Sequence, residues 1–173
     1  MYLPSAKLVY SRAPHARKTV IMPRQWKSLV LWLLLSFLVA GVASMFMPDA
    51  WYTALQKPDF NPPNWVFAPV WTLLYIVMAI AVWRVQRKQQ RFSFEIGIWL
   101  VQLLLNGLWP WLFFALHRTD LALIDIAALI IVLLTTLLAF ARVDRIAAWL
   151  LLPYLAWVSF ASVLNLSLWQ LNP

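Results

Sequence analysis

The sequence predicts an all-α membrane protein, a five-transmembrane-helix bundle, and three observations carry that prediction. Of the residues, 64% are hydrophobic and 12% charged, against an apolar share of roughly 45–50% in soluble domains. The apolar residues fall into five stretches near the ~20 residues a helix needs to cross a hydrocarbon core. Asp, Glu, Lys and Arg gather between those stretches and are almost absent within them. In lipid the backbone has no water to bond, so such segments satisfy their own N–H and C=O groups as helices.

Residues 1–27 form a basic tail with Lys7, Arg12, Arg17, Lys18, Arg24 and Lys27, interrupted by Pro4, Pro14 and Pro23. No helical period runs through it, so it is expected to be disordered or to lie on the membrane surface, on the cytoplasmic side. Residues 28–173 form the membrane domain, with spans at about 28–48, 65–83, 96–116, 121–141 and 146–169. The first run follows basic residues as a signal peptide does. It is longer than a ~7–15-residue h-region and lacks a strong small-x-small cleavage site, so it reads as a retained helix.

The first connection, 49–64, mixes Trp51, Tyr52 and Phe60 with Pro58, Pro62 and Pro63. Proline fixes backbone angles, so this loop is stiff and reads as a cap on the bundle. The remaining connections are short and tie antiparallel neighbours together. Twelve Lys and Arg residues lie in the tail and in the second and fourth connections, against two (Lys57 and Arg118) on the other side. Basic residues stay cytoplasmic, which sets the N-terminus inside and the C-terminus outside. In a bacterium this would be an inner-membrane protein whose first loop faces the periplasm.

Several function classes fall away. Without cysteine there is neither a disulfide framework nor a thiolate metal site, and two histidines, one in the tail and one in a loop, make no metal cluster. The net charge of +8 is scattered over the connections, not gathered on a nucleic-acid-reading face, so no nucleic-acid partner is expected. There is no Gly-rich phosphate loop, no carboxylate pair at a shared depth, and no nucleophile with a His base, so no catalytic residue is assigned.

The twelve tryptophans carry more information. Trp26, Trp51, Trp65, Trp83, Trp149 and Trp169 sit at span ends, as an interfacial aromatic belt does. Trp71, Trp109 and Trp157 lie inside spans, where an indole N–H wants a partner. At ~1.5 Å rise per residue, Trp71 lies about 9 Å deep, Trp109 about 10 Å, Ala161 about 12 Å, and Tyr75 and Asn106 about 15 Å. Helical spacing aligns Phe67, Trp71, Tyr75 and Met78 on the second span, and Gln102, Asn106, Trp109 and Phe113 on the third. On the fifth it aligns Tyr154, Trp157, Ala161 and Leu164. Each stripe alone reads as packing, but their convergence reads as a pocket for a large, flat, apolar ligand.

Two readings stand for the polar residues. Asn106 and Gln102 either bond between helices or face a ligand. Pro110 and Pro153 kink their helices, opening a cavity or serving structure alone. Asp125, ionisable within a span, is either functional or reaches the interface or Arg118. His117 reads as an interfacial residue, with axial haem ligation as the alternative.

The run Lys57-Pro-Asp-Phe-Asn-Pro-Pro-Asn-Trp-Val-Phe-Ala-Pro-Val-Trp-Thr-Leu-Leu-Tyr75 resembles the signature of the TspO/MBR family of tryptophan-rich sensory proteins and translocator proteins. Gln102-Leu-Leu-Leu-Asn-Gly-Leu-Trp109 is similar to its third-helix motif, and Leu152-Pro-Tyr-Leu-Ala-Trp157 through Asn165 to its fifth. The resemblance implies a five-helix bundle, often a homodimer, that binds porphyrins under the first loop, with protoporphyrin IX or haem as ligand and no obligatory cofactor. It implies sensing, sequestering or transporting porphyrins, with light-dependent porphyrin degradation or a scaffold role as alternatives. It places Trp71, Tyr75, Asn106, Trp109, Trp157, Ala161 and Leu164 around the ligand and Tyr52 in the lid. The sterol consensus that ends the fifth helix of vertebrate members is missing from Asn165-Leu-Ser-Leu-Trp-Gln170.

Overall fold

The computed structural model describes residues 24–172, so the expected disorder and cytoplasmic placement of the tail up to residue 23 lie outside the described residues. Five helices are long and apolar enough to cross a membrane. They are α1 (Arg24–Ala43), α3 (Phe67–Gln89), α4 (Phe94–Pro110), α5 (Thr119–Val143) and α6 (Arg145–Leu171). A short α2 (Ala50–Ala54) and a 3-10 turn (Asn64–Val66) lie in the first connection. The chain is an integral membrane protein of the expected all-α class.

The helices close a ring. α1 packs on α3, α3 on α6, α6 on α5, α5 on α4, and α4 returns to α1. The core runs down the middle of this ring, with Met78, Val82, Trp99, Leu133, Leu151 and Tyr154 fully buried. Leu31, Leu34 and Leu38 of α1 and Ile124, Ile131 and Leu138 of α5 point outward and are exposed, which suits a face solvated by acyl chains. At Gly107, α1 comes so close to α4 that an added Cβ would lie 2.7 Å from Val39 Cγ1. Glycine is the residue that admits such an approach.

Helix ends depart from the charge-free runs for local reasons. α3 continues past Trp83 to Gln89 and carries Arg84, Arg87 and Lys88, because long basic side chains reach polar surroundings from a helix end. Two of them converge on Asp144 in the tight α5–α6 corner, Arg84 at 3.0 Å and Lys88 at 3.4 Å. The same carboxylate caps α6 by accepting the N–H groups of Ile146 (2.9 Å) and Ala147 (3.4 Å). Desolvation pushes the Asp144 carboxyl up, but these N–H donors and the two cations outweigh it and hold it below the usual carboxylate value.

Of the two intraspan prolines, Pro153 sits inside a continuous α6. Pro110 ends regular α4, and Trp111–Ala115 widens into a π-helical turn in which Leu116 N–H bonds Trp111 C=O at 3.0 Å. Such turns re-aim the side chains around them, here the Phe113–Phe114 pair. His117 then turns the chain with φ 54 before α5 begins.

Candidate functional site

The α3 stripe behaves as its spacing dictates. Tyr75, 4% exposed, donates from its hydroxyl to Asn106 Oδ1 at 2.5 Å. Asn106 Nδ2 in turn donates to the Tyr154 hydroxyl at 3.0 Å. One buried amide therefore ties α3, α4 and α6 together. A second amide does the same nearer the lid: Trp109 Nε1–H donates to Asn165 Oδ1 at 3.0 Å, and Asn165 Nδ2 donates to the Thr119 carbonyl at 2.9 Å. This joins α4, α6 and α5. Pairing these two amides avoids the cost of leaving them unsatisfied in a low-dielectric core.

Aromatic rings surround these amides. Trp71 packs on Tyr75 with centroids 5.7 Å apart and meets Tyr154 edge-on at 6.2 Å. Trp157 lies between Phe67 at 5.8 Å and Phe160 at 5.6 Å. Trp109 stacks on Phe113 at 4.8 Å with planes 20° apart. At these separations the rings fill one another's space, so a flat ligand would have to displace ring-on-ring contacts to insert between them.

Above the rings sits the first connection. Tyr52 of α2, 6% exposed, packs edge-on against Phe114 (5.4 Å) and Phe113 (6.1 Å). Burial pushes its hydroxyl above the ordinary tyrosine value. Asp49 caps α2 by accepting the Tyr52 N–H at 3.0 Å and faces His117 Nε2 at 3.1 Å. The Tyr52 N–H lowers the Asp49 carboxyl against a smaller desolvation penalty, with His117 helping. The Trp51 ring stacks on His117 at 4.3 Å. Farther along, Gln56 and Asn172 exchange two hydrogen bonds, Gln56 N–H to Asn172 Oδ1 (2.9 Å) and Asn172 Nδ2 to the Gln56 carbonyl (3.0 Å). The stiff loop is thus pinned to the α4–α5 connection at one end and to the end of α6 at the other.

Trp71, Tyr75 and Asn106 stand in one chain of direct contacts. Trp109 and Tyr52 both pack on Phe113 and Phe114, and Leu164 belongs to the same lid-end cluster. Trp157 and Ala161 are half-buried against the main core. Asn106 bonds between helices, whereas both amide atoms of Gln102, fully buried, lack a partner among the described residues. Arg118 pairs with Asp120 (2.8 and 2.6 Å) and not with Asp125. Asp125 is buried within the bundle at 6% exposed, and neither carboxylate oxygen has a partner among the described residues.

Sequence reasoning left out Asn165, whose signal was an amide within a span. It also left out Tyr154 as a site residue, although its stripe contained it. Trp32 and Trp99, which meet edge-on at 5.4 Å in the core, went unweighed, and Trp32 Nε1–H donates to Gln86 Oε1 at 2.7 Å.

The TspO/MBR family profile matches residues 28–170. The chain belongs to the TspO/MBR family. A tryptophan-rich protein TspO of Chlorobaculum tepidum is 42% identical over 158 residues, covering 88% of this chain and all of that protein. The translocator protein of Bos taurus is 40% identical over 126 residues, covering 70% of this chain and 75% of its own. A tryptophan-rich sensory protein of Cereibacter sphaeroides is 35% identical over 133 residues, covering 77% and 84%. All the candidate residues except Tyr52 lie on TspO/MBR helices α3, α4 and α6; α3 packs on α6 in the ring, and the two buried amides tie α4 to α6 across its interior.

Proposed function

We propose that this TspO/MBR protein binds a flat tetrapyrrole, protoporphyrin IX or haem, among α3, α4 and α6 beneath the first loop, and so senses, sequesters or moves porphyrins across the bilayer. The observation that supports this most is the Trp71–Tyr75 ring pair bonded to the buried amide of Asn106, with Trp109 and Trp157 on the same helices and a pinned aromatic loop above them. A planar macrocycle gains about 0.5–1.5 kcal/mol per aromatic contact beyond its area burial, which offsets the ring contacts it displaces. Tyr52, Ala161 and Leu164 complete the binding surface in this reading, and the basic tail keeps the loop on the side away from the cytoplasm. Pairing of two copies is proposed on the family resemblance alone.

Titration of the purified protein with protoporphyrin IX, followed by tryptophan fluorescence, tests the reading. Saturable quenching is expected, with affinity falling at least about fivefold when Trp71→Ala and Trp157→Ala are combined, the loss of two aromatic contacts. Unchanged binding in that double variant removes the pocket.

A further inference from the structure

The first connection encloses a depression of about 370 Å³ lined by Tyr52, Thr53, Lys57, Asn61, Pro63 and Asn64. Its one cation is held in place from three directions. Lys57 Nζ donates to the carbonyls of Thr53 and Leu55, both at 3.1 Å, and stands 4.7 Å from the centroid of the Tyr52 ring. An ammonium has three N–H donors, so one is left over. Among the described residues Lys57 forms no ion pair, whereas the nearby basic groups Arg118 and His117 face Asp120 and Asp49. The Asn61 amide is already used, its Oδ1 taking the Tyr52 hydroxyl at 3.4 Å and its Nδ2 donating to the Pro62 carbonyl at 3.2 Å. The exposed Asn64 opens the 3-10 turn that leads directly into α3, three residues before Phe67 and seven before Trp71. The depression therefore lies at the entry to the helix that carries the aromatic face, and its lining supplies a positioned positive charge and an amide, that of Asn64, with no side-chain partner among the described residues.

The geometry points to Lys57 and Asn64 as an anion subsite that takes a carboxylate arm of the bound ligand while its flat body lies against the α3 aromatics. Resting on the porphyrin reading, this makes the preferred ligand a carboxylate-bearing macrocycle over its neutral ester. A charge-assisted hydrogen bond from a preorganised ammonium is stronger than a neutral one. At a half-exposed position it is worth about a fivefold change in affinity. A purely structural lysine, capping the carbonyls at the end of α2, would instead affect all ligands alike.

The full chain in zwitterionic lipid nanodiscs is titrated with protoporphyrin IX and its dimethyl ester, and with 1-pyrenebutyrate and its methyl ester. The wild type is expected to favour each acid over its ester by about fivefold. Lys57→Gln should erase that preference by weakening the acids alone, Lys57→Arg should keep it, and Asn64→Ala should reduce it. Equal loss of acid and ester binding in Lys57→Gln would make Lys57 a helix cap and overturn the subsite. Porphyrin binding with no acid preference would overturn the subsite and leave the porphyrin reading standing. Pyrene acid preference dependent on Lys57, without porphyrin binding, would keep the subsite and remove the porphyrin. No charge preference in either pair overturns it outright.

Discussion

The Tyr75–Asn106–Tyr154 chain makes a quantitative demand. Its three members are 4%, 4% and 0% exposed, and its two bonds, at 2.5 and 3.0 Å, cross two helix interfaces. Interhelical hydrogen bonds within a bilayer average about 0.6 kcal/mol and reach about 1.7. Asn106→Leu keeps the branched shape, at a somewhat larger volume, but breaks both, leaving two buried hydroxyls unpaired, and is expected to cost about 1–3 kcal/mol. Tyr75→Phe breaks one and should cost about 1 kcal/mol. Once Asn106 is gone, Tyr75→Phe has no bond left to lose and removes an orphaned hydroxyl, so the double variant should be no less stable than Asn106→Leu. The coupling then comes to about 1 kcal/mol. Reversible unfolding in mixed micelles measures the cycle. Costs that simply add, to within about 0.5 kcal/mol, would show that the bond contributes nothing and refute the argument from burial.

Two further predictions concern the ends of the bundle. Asp144 titrates below its ordinary value, so its contribution is complete above about pH 4, the unfolded carboxylate value, and fades as pH falls through the lowered one; Asp144→Asn should cost about 1–2 kcal/mol at pH 7 and much less near pH 3, read from thermal melts in detergent. Asn172→Ala removes both bonds that hold Gln56 and should speed hydrogen exchange at the Gln56 amide about fivefold, a loss of ~1 kcal/mol, leaving exchange in α4 unchanged.

Much of this architecture was legible because lipid imposes one crude rule, that charge stays out of the core. The rule locates five spans but not their helices: Arg84 and Lys88 lie within α3 because a carboxylate in the α5–α6 corner receives them, a partner sixty residues away along the chain. Periodicity located the Trp71–Tyr75 stripe because Cβ direction follows from helix geometry alone. It placed Trp109 on a stripe but was silent on its bond to Asn165, which reaches from α4 to α6 across the interior of the ring. The π-helical turn was equally hidden. Pro110 signals a broken hydrogen bond, yet whether a helix bends or widens depends on what packs against it. Asp125 resisted reading for the opposite reason, since sequence proximity suggested Arg118 while Asp120 stands closer.

The ring order carries a consequence for how the protein is made. A translocon releases spans in the order of synthesis, so α1, α3, α4 and α5 enter the bilayer before α6 exists. The gap between α3 and α5 stays open until then, with Asn106 and Trp109 lacking the Tyr154 and Asn165 that will bond them. The last 27-residue helix is therefore the keystone of assembly, and its closing residue, Asn172, fastens the loop over the finished bundle. Nascent chains stopped before α6 would leave the Asn106 Nδ2 and Trp109 Nε1 donors without these partners, which is the kind of defect that membrane quality control removes.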